Sequence, residues 1–202
     1  STLLDLAIGG GYPLGRIVNL VGDKSTGKTL LACELIASAK KQSRDKLVWY
    51  YDDAEAGFNF DTKRIYGFDI LEKGFLPSRT IEDFCNNYST QLEAIKKGQT
   101  FIYILDSLDS LTCDAEIEKD KENKTQGYGL DKQKILGRFF RLNRGLIEKK
   151  NALLVIISQV RQNIGVTFGE KYYRTGGKAL DFYSIQIIWL AESGKIFAKK
   201  NL

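Results

Sequence analysis

Residues 22–29, GDKSTGKT, limit what this chain can fold into more than any other feature. They have the form G-x-x-x-x-G-K-T and lie between a short apolar run at 16–21 (RIVNLV) and a segment from about Lys28 to Lys40. That segment carries Leu31, Leu35 and Ile36 at helical spacing. A loop of this form between strand and helix is built to hold phosphates. Gly22 and Gly27 permit backbone conformations and close approaches that a Cβ would forbid. Main-chain N–H groups along Asp23, Lys24, Ser25 and Thr26, with the helix start behind them, then face the phosphates. Lys28 supplies a point charge at the β- and γ-phosphates, and the Thr29 hydroxyl is a ligand for Mg2+. The expected ligands are a nucleoside triphosphate and Mg2+.

The rest of the chain alternates in the same manner. Apolar runs at 47–51 (LVWYY), 101–105 (FIYIL), 152–158 and 185–190 read as strands, with a further strand at 195–199. Thr80 followed by Asp83 resembles a capping box that opens a helix to about Lys97. A second long helix runs from about Leu130 to Lys150, with Ile135, Leu136, Phe139, Phe140, Leu142, Leu146 and Ile147 on a wide apolar face. The charged stretch at 115–123 reads as mobile. Strands apolar throughout, alternating with helices, predict an α/β fold with a mostly parallel central sheet and helices on both faces. In such sheets ligands bind beyond the carboxyl ends of the strands. No repeat or linker divides the sequence, so 1–202 is read as one domain.

Asp106 closes the run FIYIL, where a second magnesium contact belongs, in most sites through water. Asp52, Asp53 and Glu55 crowd the end of the second strand. Hydrolysis needs one carboxylate to orient or deprotonate the attacking water, and spacing alone does not choose among the three. Gln159 terminates the fourth strand (IISQ); an amide there can report a terminal phosphate because it donates and accepts at once.

Composition removes other chemistries. The chain has no histidine, and its three cysteines (Cys33, Cys85, Cys113) are widely spaced, so zinc sites, disulfide frameworks and Ser-His or Cys-His pairs are not expected. No apolar run approaches the roughly 18 residues that span a bilayer, and no signal peptide opens the chain, which points to the cytoplasm and away from membranes. The absence of methionine marks the stretch as part of a longer chain. A net charge of +5 permits nucleic-acid binding without requiring it.

With these residues in hand, the sequence resembles the RecA family of ATP-driven strand-exchange recombinases over nearly its whole length. LDLAIGGGYPLGRI (4–17) resembles the family's approach to its phosphate loop, YDDAEAGF (51–58) its second strand and catalytic glutamate, and ILDSLDSLTCDAEIE (104–118) its magnesium-aspartate segment. ISQVRQNIGVTFGEKYYRTGGKALDFY (157–183) resembles the γ-phosphate-sensing glutamine followed by the second DNA-binding loop.

The resemblance implies a RecA-like phosphate-loop ATPase core, a DNA-dependent ATPase that binds single-stranded DNA as a filament in recombination and repair. It implies Glu55 as the catalytic glutamate, Gln159 as the sensor, and a DNA-binding segment at 160–177 closed by Gly176 and Gly177. That segment carries Arg161, Lys171 and Arg174, with Lys178 just after and Phe168, Tyr172 and Tyr173 interleaved. Cations for phosphates beside aromatics for bases suit single strands. The first DNA-binding loop of the family would fall at 117–130, where EIEKDKENKT is nearly charge-balanced. In place of the family's adenine-stacking aromatic, 59–62 offers only Phe60, at a shifted position. Lys199 and Lys200 match the lysines that reach a neighbour's nucleotide. The family's N-terminal polymerisation element and C-terminal domain are not in this stretch. Two other relatives of the fold supply rival readings: a regulatory or assembly ATPase that controls protein contacts, and a hexameric helicase whose subunits close into a ring.

Overall fold

A computed structural model describes residues 2–121, 128–162, 172–174 and 177–194. Five parallel strands form its centre in the order β2–β3–β4–β1–β6, where β1 is Arg16–Gly22, β2 Leu47–Asp53, β3 Thr100–Asp106, β4 Ala152–Gln162 and β6 Ser184–Leu190. The short β5, Tyr172–Arg174, pairs antiparallel with the far end of β4.

Burial follows sheet position. After its first residue β1 is wholly buried, as is β3, whereas the edge strand β6 alternates. A strand with helices on both sides has no solvent face, so every residue must be apolar or hydrogen-bonded. Alternate residues feed two cores. Phe101, Tyr103, Leu105, Leu154 and Ile156 pack against Phe84 and Tyr88 of α4 (Ile81–Ala94) and Phe139 and Phe140 of α6 (Tyr128–Lys149). On the other side Val18, Leu20, Ile102, Ile104 and Val155 meet α2 (Lys28–Ser43).

The face that α2 buries is Ala32, Cys33, Ile36 and Ala37, with Leu31 and Leu35 only half-buried. Small residues at the contact let this helix lie close to the sheet, so the expected Leu31–Leu35–Ile36 face is rotated. The capping box at Thr80 is formed, each partner accepting the other's main-chain N–H at 3.1 Å. Its helix stops at Ala94, earlier than expected, where Lys150 Nζ donates to the carbonyls of Leu92, Glu93 and Ile95. Leu142 of α6 faces outward.

Other elements were not legible beforehand. Residues 115–121 of the stretch expected to be mobile lie in a short helix α5 (Asp114–Lys121), and α1 (Thr2–Ala7), α3 (Thr62–Tyr66) and α7 (Gly177–Tyr183) add one or two turns each. The expected strand at 195–199 lies outside the described residues. Among the described residues no helix is long and apolar enough to cross a membrane, no group of acids and thiols could hold a metal by itself, and the three cysteines are free.

Candidate functional site: a phosphate loop joined to a β-ribbon

The sheet registers bring the candidate residues to one end. Gly22 pairs with Gln159, and Asp53 with Asp106. Beyond these strand ends lies a cavity of ≈ 110 Å³ lined by Lys24, Ser25, Gly27, Lys28, Thr29, Glu55, Asp106 and Gln159. All eight were candidates from sequence.

The phosphate loop needs its glycines for two different reasons. Gly27 has φ +92°, a left-handed conformation that side chains resist, and Ser25 shares that region at φ +63°. At Gly22 the constraint is space: a Cβ would lie 2.5 Å from Thr26 Oγ1 and 2.7 Å from the Leu190 carbonyl. The loop closes on itself through Asp23, whose Oδ1 accepts from Lys24 N at 2.7 Å and whose carbonyl accepts from Thr26 Oγ1 at 2.8 Å. No acidic side chain occupies the first turn of α2, so its N-terminal N–H groups and partial positive charge are left for an anion.

Lys28 is buried and donates from Nζ to the carbonyls of Gly22 (3.0 Å) and Asp23 (2.7 Å). Burial pushes its pKa down, against the pull of Asp106, Glu55, Asp23 and Asp109. A triphosphate would bring compensating negative charge to this cation. Thr29 Oγ1 donates to Asp106 Oδ2 at 2.8 Å, and the Tyr51 hydroxyl donates to the same oxygen at 2.6 Å. Burial raises the pKa of Asp106, and both hydrogen bonds work the other way. A hydroxyl and a carboxylate held together are hard oxygen donors of the kind Mg2+ takes beside phosphate oxygens, so residues 22–29 with Asp106 fit ATP and its metal.

The three acids at the end of β2 have separate surroundings. Asp52 is fully buried and accepts from Ser78 N (2.8 Å), Ser78 Oγ (2.6 Å) and the Tyr103 hydroxyl (2.6 Å). Burial still holds its pKa above the usual carboxylate range. Asp53 accepts from Gly57 N and Phe58 N, and so folds the turn that carries Glu55. Only Glu55 faces the cavity. Its N–H donates to the Asp106 carbonyl at 3.1 Å, and its Oε1 accepts from Ser107 Oγ and from Gln159 Nε2, the latter at 2.7 Å. Tyr51 was missed from sequence because a tyrosine in an apolar strand reads as core.

Gln159 is not at the end of its strand, as expected, but inside it. β4 runs on to Gln162 because β5 pairs with it, Val160 with Arg174 and Gln162 with Tyr172. The expected DNA-binding segment therefore contributes 160–162 and 172–174 to a two-stranded ribbon, favoured by Val160, Tyr172 and Tyr173. Arg161 and Arg174 stand in its strands. Lys171 and Gly176 lie outside the described residues, as do Lys199 and Lys200. Gly177 opens α7 with φ +52°, and a Cβ there would sit 2.9 Å from the Gln133 side chain of α6. Lys178 is exposed. Near it, the exposed side of α6 carries Lys134, Arg138 and Arg141, a basic face that the expected apolar stripe on this helix concealed. Phe60 packs at 5.8 Å from Phe58, and both line a separate cavity with Asn59 and Lys73.

Comparison with known proteins gives the family and the fold. The family model of the RecA N-terminal domain matches residues 1–201. Protein RecA of Chloroherpeton thalassium (strain ATCC 35110 / GB-78) is 35% identical over 185 residues, 91% of this chain and 49% of the relative, so the chain spans about half the length of the curated relative it matches. The crystal structure of the RadB recombinase has the same fold, with a TM-score of 0.64 at 20% identity over 95% of this chain and 81% of that one. A family model matched over residues 1–201 and 35% identity to a RecA protein over 91% of the chain place this chain in the RecA family.

Proposed function

We propose that this chain is the core of a DNA-dependent ATPase that binds single-stranded DNA and assembles with copies of itself, in a filament serving recombination and repair. The observation that carries the reading is the position of Gln159. Its side chain touches Glu55 in the pocket, and its main chain continues directly into the basic ribbon.

Residues 22–29 hold the triphosphate through main-chain N–H groups, and Lys28 neutralises charge at its terminal phosphates. Thr29 and Asp106 would hold Mg2+, which supplies further charge neutralisation there when bound. Glu55 orients a water and takes its proton as the water oxygen attacks the terminal phosphorus, while the bond from that phosphorus to the bridging oxygen breaks and ADP leaves with the electron pair. Gln159 exchanges its bond to Glu55 for one to the terminal phosphate, and this moves the base of the ribbon. Arg161, Lys171, Arg174 and Lys178 contact the DNA backbone, with Arg138 and Arg141 of α6 extending the same basic surface. Gly176 and Gly177 allow the chain to approach that backbone closely. One phosphate group thus biases a two-state segment.

The test is ATP turnover measured with and without single-stranded DNA. Turnover rises when DNA is added; an identical rate in both conditions would remove the recombinase reading and favour a regulatory ATPase on this fold.

A further inference from the structure

The turn that follows β3 makes a contact that phosphate binding alone does not require. After Asp106 the chain passes through a single turn, Leu108–Ser110, and Asp109 in that turn accepts the main-chain N–H of Gln159 at Oδ2, 2.7 Å away. The ladder between β3 and β4 has ended by this point, its last pair being Leu105 with Ile156. β4 continues without β3 beside it, so a main-chain donor here needs another acceptor. The Asp109 carboxylate takes the position of the missing strand.

Gln159 is consequently held from three directions: by β1 in register with Gly22, by Glu55 through its amide, and by Asp109 through its main chain. The next residue, Val160, is already paired with Arg174 in the ribbon. Bonds to an ionised acceptor are shorter and roughly twice as strong as neutral ones. The Asp109 bond therefore fixes the point where pocket becomes ribbon to the same turn that follows the magnesium-site aspartate.

We propose that Asp109 is a positioning residue for nucleotide–DNA coupling: it anchors the main chain of Gln159 so that a change at the phosphates moves the ribbon. This rests on the proposed function above. Asp109 does not line the cavity around the phosphates. Its loss should therefore act on coupling and not on ATP affinity, since coupling is the free energy by which one ligand changes the binding of the other.

The experiment measures the affinity of a fluorescent oligothymidylate with and without a non-hydrolysable ATP analogue, in the wild type and in Asp109→Ala, Asp109→Asn and Asp109→Ser. The coupling ratio of the two affinities should fall about tenfold in Asp109→Ala. It should fall equally in Asp109→Ser, which is polar but too short to span the gap. Asp109→Asn, whose Oδ1 can still accept the N–H, should keep most of it. A purely structural role would lower Tm and scale both affinities together, leaving the ratio at its wild-type value, and that result overturns the proposal. Equal loss in Asp109→Asn and Asp109→Ala with tighter analogue binding in both would also overturn it, by showing that Asp109 acts through charge on Lys28. A wild-type ratio of 1 defeats the proposed function itself, whereas a large wild-type ratio that Asp109→Ala preserves defeats only this inference.

Discussion

Glu55→Gln binds ATP as the unaltered protein does and turns it over roughly 10²–10⁴-fold more slowly, the range expected when a general base is removed. The substitution keeps the shape of the side chain and an oxygen that can accept from Ser107 and Gln159, so the turn built by Asp53 stays in place. What disappears is the capacity to take a proton from water. Surroundings set Glu55 apart from its two neighbours. Asp52 is engaged by Ser78 and Tyr103 inside the core, and Asp53 is committed to the N–H groups of Gly57 and Phe58. Steady-state turnover alongside analogue binding separates the two effects. Turnover within a few-fold of the wild type would move the base assignment away from Glu55, with Asp53 next to be tested.

Lys28→Ala has its effect one step earlier, on binding. Removing one partner of a buried charged contact costs about 3 kcal/mol, on the order of 100-fold in affinity for the triphosphate. The fold should tolerate the change, because among the described residues Lys28 Nζ bonds to carbonyls of its own loop and its burial already works against its charge. Thermal unfolding with and without ATP measures this. The wild type gains stability from ATP as mass action requires, and Lys28→Ala shows little gain at the same concentration. An ATP-induced rise in Tm equal to that of the wild type would place the phosphates elsewhere.

Local features carried much of this architecture into the sequence. The phosphate loop depends on residue types at fixed spacing, and the buried strands appear as unbroken apolar runs because solvent reaches neither side of them. Non-local contacts were hidden. Asp109 reads as an ordinary turn acid, and nothing in DSLDS announces that its carboxylate will meet the main chain of a strand fifty residues away. Asp52, Asp53 and Glu55 are alike on paper because their difference lies in what packs over them: Ser78 and Tyr103 for the first, the N–H groups of a tight turn for the second, the cavity for the third. The ribbon was read as a loop because its pairing joins Val160 to Arg174 across a stretch with no regular alternation. The basic face of α6 was passed over since its apolar residues were sufficient to explain the helix.

The central claim is that the nucleotide sets DNA affinity through Gln159, and the most direct measurement of it is retention of single-stranded DNA with and without a non-hydrolysable ATP analogue, in the wild type and in Gln159→Ala. Tighter retention with the analogue in the wild type, and equal retention in both conditions for Gln159→Ala, is the predicted result. Full tightening in Gln159→Ala, or none in the wild type, would contradict it.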